Sequence, residues 1–136
     1  YMYMKMNGKE MCGEKKMAIK TVIVDNAPEL LERLGGFLEA IDGVELVARF
    51  EEAVSVVDFV REQDVDLVFT DIVMPDISGI SLARKLQQLP NPPAVVLMSS
   101  IPGFSLEAWK IQAYTFLEKP YTRADVAKVI SNFEKE

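Results

Sequence analysis

The strongest constraint on the fold of this chain is a regular alternation of strand-like and helix-like hydrophobic patterns that begins at Ala18. Short runs rich in β-branched or apolar residues are typical of strands, and they cover residues 19–25, 44–48, 66–71, 94–98 and 114–117. After each run, apolar residues recur at spacings of three and four, as in amphipathic helices. Five strands alternating with five helices predict a parallel sheet covered by helices on both faces. The wholly apolar fourth run fits a strand in the interior of that sheet.

The helical segments carry aliphatic and aromatic positions that we expect to face the core. Pro28 opens the first helix, and the Gly35-Gly36 pair weakens it by about 1 kcal/mol per glycine. A further helix is predicted around residues 106–113. The expected core positions of the other four helices are Leu30, Leu34, Phe37 and Ile41; Ala53, Val56, Val57 and Val60; Leu82, Leu86 and Leu89; and Val126, Val129, Ile130 and Phe133.

Composition excludes several classes of site. The 136 residues suit one domain. They include no histidine, which rules out Ser-His-Asp and Cys-His nucleophile pairs and His-ligated zinc within this chain. A single cysteine cannot form an internal disulfide, and no apolar run approaches the length of a membrane span. The net charge of −6 argues against a nucleic-acid binder.

Residues 1–17 differ in composition from the rest. They hold five of the seven methionines, the cysteine, four lysines and two glutamates. They lack the apolar region of a secretory signal, and we interpret them as a flexible leader or cloning remnant before a domain at 18–136. Without them the chain carries a net charge of −8.

Polar side chains follow the predicted strands at the point where each strand ends. Asp25 and Asn26 end the first strand, Asp71 the third, Ser99 follows the fourth, and Lys119 follows the fifth. Because the carboxyl ends of parallel strands meet at one edge of a sheet, we expect these side chains to converge there.

The chemistry of this set is that of phosphoryl handling. Clustered carboxylates need a cation, and hard oxygen ligands suit Mg²⁺ better than zinc. A divalent ion and an ammonium can neutralise phosphoryl oxygens while a carboxylate attacks phosphorus to form an acyl phosphate.

These residues resemble the receiver domain of two-component response regulators over about residues 18–135. The most specific match is the stretch 71–79, which fits the family pattern D-x-x-M-P-x-x-x-G. The other matching positions are the acidic pair region Asp25-Asn26 with Pro28, Ser99, Phe116 and the Lys119-Pro120 pair. The segment from Pro93 to Pro120 most resembles receivers attached to LytTR-type DNA-binding domains.

The resemblance implies a three-layer flavodoxin-like (CheY-like) α/β fold, with a five-stranded parallel sheet in the order 2-1-3-4-5 and five helices. It assigns the phosphoacceptor role to Asp71 and a phosphoryl contact to Lys119. It also assigns a Mg²⁺ site to Asp25, Asn26, Asp71 and the backbone carbonyl of Val73.

The same resemblance implies a switch formed by Ser99 and Phe116. On phosphorylation, the Ser99 hydroxyl would move toward a phosphoryl oxygen and contact it. The space that the hydroxyl leaves would let the Phe116 ring turn inward. The peptide before Pro120 is expected to be cis.

The implied function is that of a cytoplasmic signalling switch rather than a turnover enzyme. A sensor histidine kinase or a histidine phosphotransfer protein would supply the phosphoryl group. Output would pass to an effector domain or a homodimer through the face of the fourth helix, fifth strand and last helix. Binding of nucleic acid or membrane by this domain is not expected.

One residue departs from the family pattern, because Asn26 stands where a second acid is usual. An amide oxygen can ligate Mg²⁺ without adding charge, so we expect weaker metal binding with activity retained. Asn26 also motivates an alternative, a pseudo-receiver that acts as a constitutive interaction module without phosphorylation.

Two further predictions concern lifetime and other enzyme classes. Apolar Val73 and Ile101 flank the expected approach of the hydrolytic water, which predicts slow self-dephosphorylation. A haloacid-dehalogenase-type phosphatase would need an acid at position 73, and a flavodoxin would need a Ser/Thr/Gly phosphate loop after the first strand. Neither is present.

Overall fold

The computed structural model describes residues 18–100 and 114–135 of the chain. Five strands form one parallel sheet in the order β2-β1-β3-β4-β5, as expected. They are β1 (Ile19–Val24), β2 (Val44–Phe50), β3 (Leu67–Asp71), β4 (Ala94–Ser99) and β5 (Thr115–Glu118). Every predicted strand is present with ends within two residues of those expected.

Four helices lie within the described residues. They are α1 (Pro28–Glu39), α2 (Val54–Glu62), α3 (Gly79–Gln87) and α4 (Arg123–Glu134). The predicted helix around 106–113 lies outside the described residues. No helix in the described part combines the length and apolar composition needed to cross a bilayer.

Alternating side chains of the inner strands divide the core into two layers. In β3, Val68 packs with residues of α2 and α3, while its neighbours Leu67 and Phe69 pack with residues of α1 and α4. The same alternation holds in β4, where Val95 and Leu97 face α2 and α3. Because successive strand residues point to opposite faces, an uninterrupted apolar strand requires helices on both sides, as the sequence predicted.

The buried face of α1 differs from the predicted one. Leu31, Leu34 and Leu38 are buried, whereas Leu30 and Phe37 are only half-buried. Both sets have helical spacing and share Leu34, so the pattern alone could not select between them. Packing of α1 against β1, β2 and α4 selects the stripe around Leu38.

The predicted core positions of the other described helices are largely confirmed. Ala53, Val56, Val60, Leu82, Leu86, Val126, Val129 and Ile130 are buried, and Val57, Leu89 and Phe133 are partly buried against the core. Leu89 lies beyond the end of α3 at Gln87.

Candidate functional site

The carboxyl ends of the strands bring together the polar side chains that the sequence singled out. Asp25 directly follows β1, Asp71 ends β3, Ser99 ends β4 and Lys119 directly follows β5. Asp25 and Ser99 are each 1% exposed and Asp71 is 9% exposed. Three strand ends thus bury two carboxylates and a hydroxyl at one edge of the sheet.

Lys119 joins the two carboxylates. Its Nζ donates to Asp25 Oδ2 at 2.9 Å and lies 3.4 Å from Asp71 Oδ1. The side chain of Lys119 is only 13% exposed, so these contacts are weakly screened by solvent. The Lys119–Pro120 peptide is cis, as expected.

The Asp25 carboxylate is oriented by its own loop. Its Oδ1 accepts a hydrogen bond from the backbone N–H of Ala27 at 3.0 Å, which is the local turn that Asp commonly forms. Pro28 then begins α1. With one oxygen on Ala27 and the other on Lys119, the carboxylate is fixed at both oxygens.

The surroundings of Asp71 disfavour the ionised form of its carboxyl group. Burial raises the pKa of its carboxyl above the ordinary value, the Lys119 ammonium opposes that rise, and the Asp25 carboxylate adds to it. A backbone hydrogen bond from Val73 also acts against the rise, without reversing it. One ammonium therefore does not offset two carboxylates, and the site favours an additional cation.

The donor set at this edge fits a hard divalent cation. No group of three or more His, Cys, Asp or Glu side chains suited to a metal occurs among the described residues. A cation here would therefore be held by Asp25 and Asp71 with neutral oxygens, for which the exposed Asn26 amide, next in sequence to Asp25, is available. Oxygen donors of this kind suit Mg²⁺.

The loop after Asp71 is closed by a glycine that touches the strand end. The Gly79 N–H donates to the carbonyl of Ile72 at 2.8 Å. A Cβ on Gly79 would lie 2.9 Å from the carbonyl carbon of Asp71 and 3.0 Å from Cα of Ile72. No side chain fits there, which explains why the nine-residue stretch from Asp71 must end in glycine.

The residues of the expected switch lie on one face of the sheet. Phe116 pairs with Leu97 and Glu118 with Ser99 in the register of β4 and β5. Since side chains alternate between faces, Leu97, Ser99 and Phe116 share a face. Phe116 is half-buried against the core layer of α2 and α3. Ile101 lies outside the described residues, and Val73 is 55% exposed.

Tyr121 is a feature that the sequence did not single out. Its ring is buried, and its hydroxyl has no hydrogen-bond partner in the described part of the chain. Burial, followed by the Asp25 carboxylate, raises the pKa of Tyr121 to about 12. An aromatic residue directly after the Lys-Pro pair was the available signal for a ring near the site.

Comparison with known proteins places the chain in a family. The family model of the response regulator receiver domain matches residues 21–131. Protein MrkE of Klebsiella pneumoniae is 26% identical over 120 residues, covering 88% of this chain and 44% of MrkE. The positive alginate biosynthesis regulatory protein of Pseudomonas aeruginosa is 31% identical, covering 82% of this chain and 46% of that protein. The chain spans about half the length of these relatives.

Another relative is the sensory transduction protein LytR of Staphylococcus haemolyticus, which is 26% identical over 87% of this chain and 46% of LytR. Its name agrees with the resemblance to LytTR-associated receivers.

Solved structures show the same fold. The response regulatory domain of MrkE superposes with a TM-score of 0.77 at 24% identity, over 86% of this chain and 99% of that one. The receiver domain of the putative response regulator NarL of Mycobacterium tuberculosis gives a TM-score of 0.80 at 22% identity, over 88% and 98%. The fold, the strand-end site and the family match lead to one conclusion: the chain belongs to the family of response regulator receiver domains.

Proposed function

We propose that this chain accepts a phosphoryl group on Asp71 from a histidine of a partner kinase or phosphotransfer protein, in a Mg²⁺-dependent reaction. The observation that carries the proposal is the contact of the Lys119 ammonium with both Asp25 and Asp71 at the carboxyl ends of the sheet. The chain has no histidine of its own, so the donor is another molecule.

In the proposed reaction, a carboxylate oxygen of Asp71 attacks phosphorus. The P–O bond of an acyl phosphate forms as the P–N bond of the donor phosphohistidine breaks, and the departing imidazole takes up a proton. Lys119 lies within 3.4 Å of the attacking group, where its ammonium can pair with a phosphoryl oxygen.

Asp25, Asn26, Asp71 and the Val73 carbonyl would hold Mg²⁺, and the bound ion would neutralise charge on the phosphoryl oxygens. The raised pKa of Asp71 supports this assignment. Burial and the Asp25 charge both disfavour the ionised carboxylate, and a bound cation would offset that effect.

Output in this proposal runs through Ser99 and Phe116. Ser99 is buried at the end of β4, and Phe116 lies on the same face of the neighbouring strand. A phosphoryl oxygen on Asp71 would attract the Ser99 hydroxyl, and Phe116 would turn into the space that the hydroxyl leaves. The affected surface includes β5 and the last helix, α4. In the cytoplasm, an effector domain or a second copy of the chain would bind this surface and respond to its change.

Slow self-dephosphorylation belongs to the same proposal. The side chain of Val73 is 55% exposed and two residues from Asp71, and an apolar group there cannot orient a hydrolytic water. With Ile101 also apolar, we expect the phosphoryl half-life to exceed that of a Val73→Asn, Ile101→Glu variant.

The test is phosphorylation by acetyl phosphate with Mg²⁺, followed by intact-mass measurement. The wild type should gain one phosphoryl group, Asp71→Asn should gain none, and Asp58→Asn, which alters an exposed aspartate of α2, should behave as wild type. Wild-type protein that stays unmodified, and that also fails to respond to beryllofluoride, would favour the pseudo-receiver that Asn26 motivates.

A further inference from the structure

The first turn of α2 is capped from another part of the chain. Ala53, at the N-cap position of α2, has no side-chain acceptor to offer its own helix. Instead, Asp76 Oδ1 accepts from the backbone N–H of Ala53 at 3.2 Å, and Asp76 Oδ2 accepts from that of Val54 at 2.7 Å. Two of the N–H groups that a helix start leaves unpaired are thus satisfied by one distant carboxylate.

The other well-capped helices use a neighbouring residue. Ser78 accepts from Ser81 at the start of α3, and Thr122 and Asp125 form a reciprocal capping box at the start of α4. Ala53 is fully buried in the core layer of α2 and α3, so a polar capping side chain at position 53 would itself be buried. The cap instead comes from a carboxylate 22 residues away, and it joins the start of α2 to a distant part of the chain.

Asp76 lies in the middle of the loop that follows the proposed phosphoacceptor. Residues 72–78 connect β3 to α3, and Val73 is in this loop. The loop is tied at its base, where Ile72 N–H donates to the Met98 carbonyl and Gly79 N–H donates to the Ile72 carbonyl. The hydrogen bonds of Asp76 tie the middle of the loop to α2.

The bridge requires an ionised Asp76, and its surroundings favour that form. Desolvation raises the pKa of Asp76, but hydrogen bonds from the backbone at Ala53, Ile77 and Val54 outweigh it and leave the pKa below its ordinary value. The bridge is therefore intact at neutral pH.

We propose that Asp76 is a positioning residue, which ties the loop 72–78 to the N-terminus of α2 and so holds the Val73 carbonyl where Mg²⁺ binds. The inference rests on the proposed function, because the Val73 carbonyl is a metal ligand only within it. Coupling free energies are reciprocal, so Mg²⁺ binding should in turn strengthen the bridge and slow hydrogen exchange at the amides of Ala53 and Val54.

The experiment compares Asp76→Ala, Asp76→Asn and Asp125→Ala in the full chain. Asp125→Ala is the matched control, since it also removes a carboxylate that accepts a backbone N–H at a helix start, but in α4, which packs on the other face of the sheet from α2 and α3. The measurements are the Mg²⁺ dissociation constant by calorimetry, the urea midpoint, and amide exchange at residues 53 and 54 with and without Mg²⁺.

We expect Asp76→Ala to weaken Mg²⁺ binding about fivefold, comparable to the loss of one capping interaction. Asp76→Asn keeps only one of the two oxygen acceptors and should lose part of the affinity that Asp76→Ala loses, while Asp125→Ala lowers the urea midpoint without changing Mg²⁺ affinity. In wild type, Mg²⁺ should slow exchange at residues 53 and 54.

Two results would overturn the inference. If Asp76→Ala lowers the urea midpoint but leaves Mg²⁺ affinity unchanged, Asp76 is only a helix cap. If Asp76→Ala weakens Mg²⁺ binding but Mg²⁺ does not slow amide exchange at residues 53 and 54 of the wild type, the effect comes from the lost charge rather than from the bridge. Wild-type protein that binds no Mg²⁺ at all would instead contradict the proposed function, so the two failures are distinguishable.

Discussion

At the scale of single residues, the site depends on how far one ammonium offsets two buried carboxylates. A charge pair at about 4 Å in an environment of effective dielectric near 20 is worth roughly 4 kcal/mol. Lys119 contacts Asp25 more closely than Asp71, at 2.9 Å against 3.4 Å. Asp71 is thus the less compensated of the two, which is consistent with its raised pKa.

That imbalance predicts a pH-dependent gain in stability for Asp71→Asn. Because the pKa of Asp71 is raised in the folded state, ionised Asp71 lowers the free energy of unfolding at neutral pH. Asn mimics the protonated form, so the variant should be more stable than wild type at pH 7. The difference should vanish as the pH falls below the ordinary value of 3.8.

Urea unfolding of both proteins from below the ordinary pKa of 3.8 up to neutral pH measures this difference. Asp58→Asn, at an exposed ion pair with Arg61, is the control and should show no comparable gain. A gain for Asp71→Asn that is the same at every pH would contradict the assignment to ionisation.

Asn26→Asp should strengthen Mg²⁺ binding. The added carboxylate would bring the charge that the amide lacks beside Asp25, and we expect the dissociation constant to fall about tenfold, or about 1.4 kcal/mol. Calorimetric titration measures it. Asn91→Asp makes the same change at an exposed position before β4, at the opposite edge of the sheet, and should leave the affinity as in wild type. Equal affinities for Asn26→Asp and wild type would contradict a ligand role for Asn26.

At the scale of elements, the two adjacent glycines of α1 have different surroundings. A Cβ on Gly36 would meet nothing within 4 Å, whereas a Cβ on Gly35 would lie 2.7 Å from Cζ of Arg49. Arg49 lies over Gly35 and pairs with Glu39 at 3.2 Å. The sequence presented these glycines as equivalent weaknesses, but only Gly36 costs helix propensity without a packing role.

Gly36→Ala should therefore stabilise the protein by about 0.5–1 kcal/mol, since alanine loses less backbone entropy in a helix. Gly35→Ala should gain less, because the guanidinium of Arg49 must move and its exposed pair with Glu39, worth about 0–1 kcal/mol, is disturbed. Urea unfolding of the two variants gives the comparison. Equal gains would mean that Arg49 imposes no constraint on α1.

At the scale of the whole molecule, the excess of acidic residues and the unbalanced strand-end site predict that stability depends on divalent cations. A ligand that binds only the folded state stabilises it by about 2.7 kcal/mol when present at 100 times its dissociation constant. We expect Mg²⁺ to raise the melting temperature and a chelator to reverse the rise.

The specific part of this effect is separated from screening by two controls. NaCl at equal ionic strength should reproduce only the part that arises from general charge screening. Asp25→Ala, which removes a carboxylate from the site, should respond to Mg²⁺ no more than to NaCl. A wild-type response that NaCl reproduces in full would contradict specific binding.

The sequence by itself determined the class of fold and the membership of the site. The alternation of strand and helix spacing along the chain indicates a parallel sheet with two covered faces, and parallel strands end at a common edge. That geometry was enough to predict that Asp25, Asp71 and Lys119 meet, although Lys119 is 94 residues from Asp25.

Only the tertiary structure decided which of two overlapping stripes of α1 is buried, why position 79 admits no side chain, and that Asp76 caps α2. It also decided the direction of the pKa shift of Asp71. Each of these depends on the distance between segments that are far apart in the chain. Hydrophobic spacing reports which face of an element is apolar, but it does not report what packs against that face or how much charge and solvent reach a buried group.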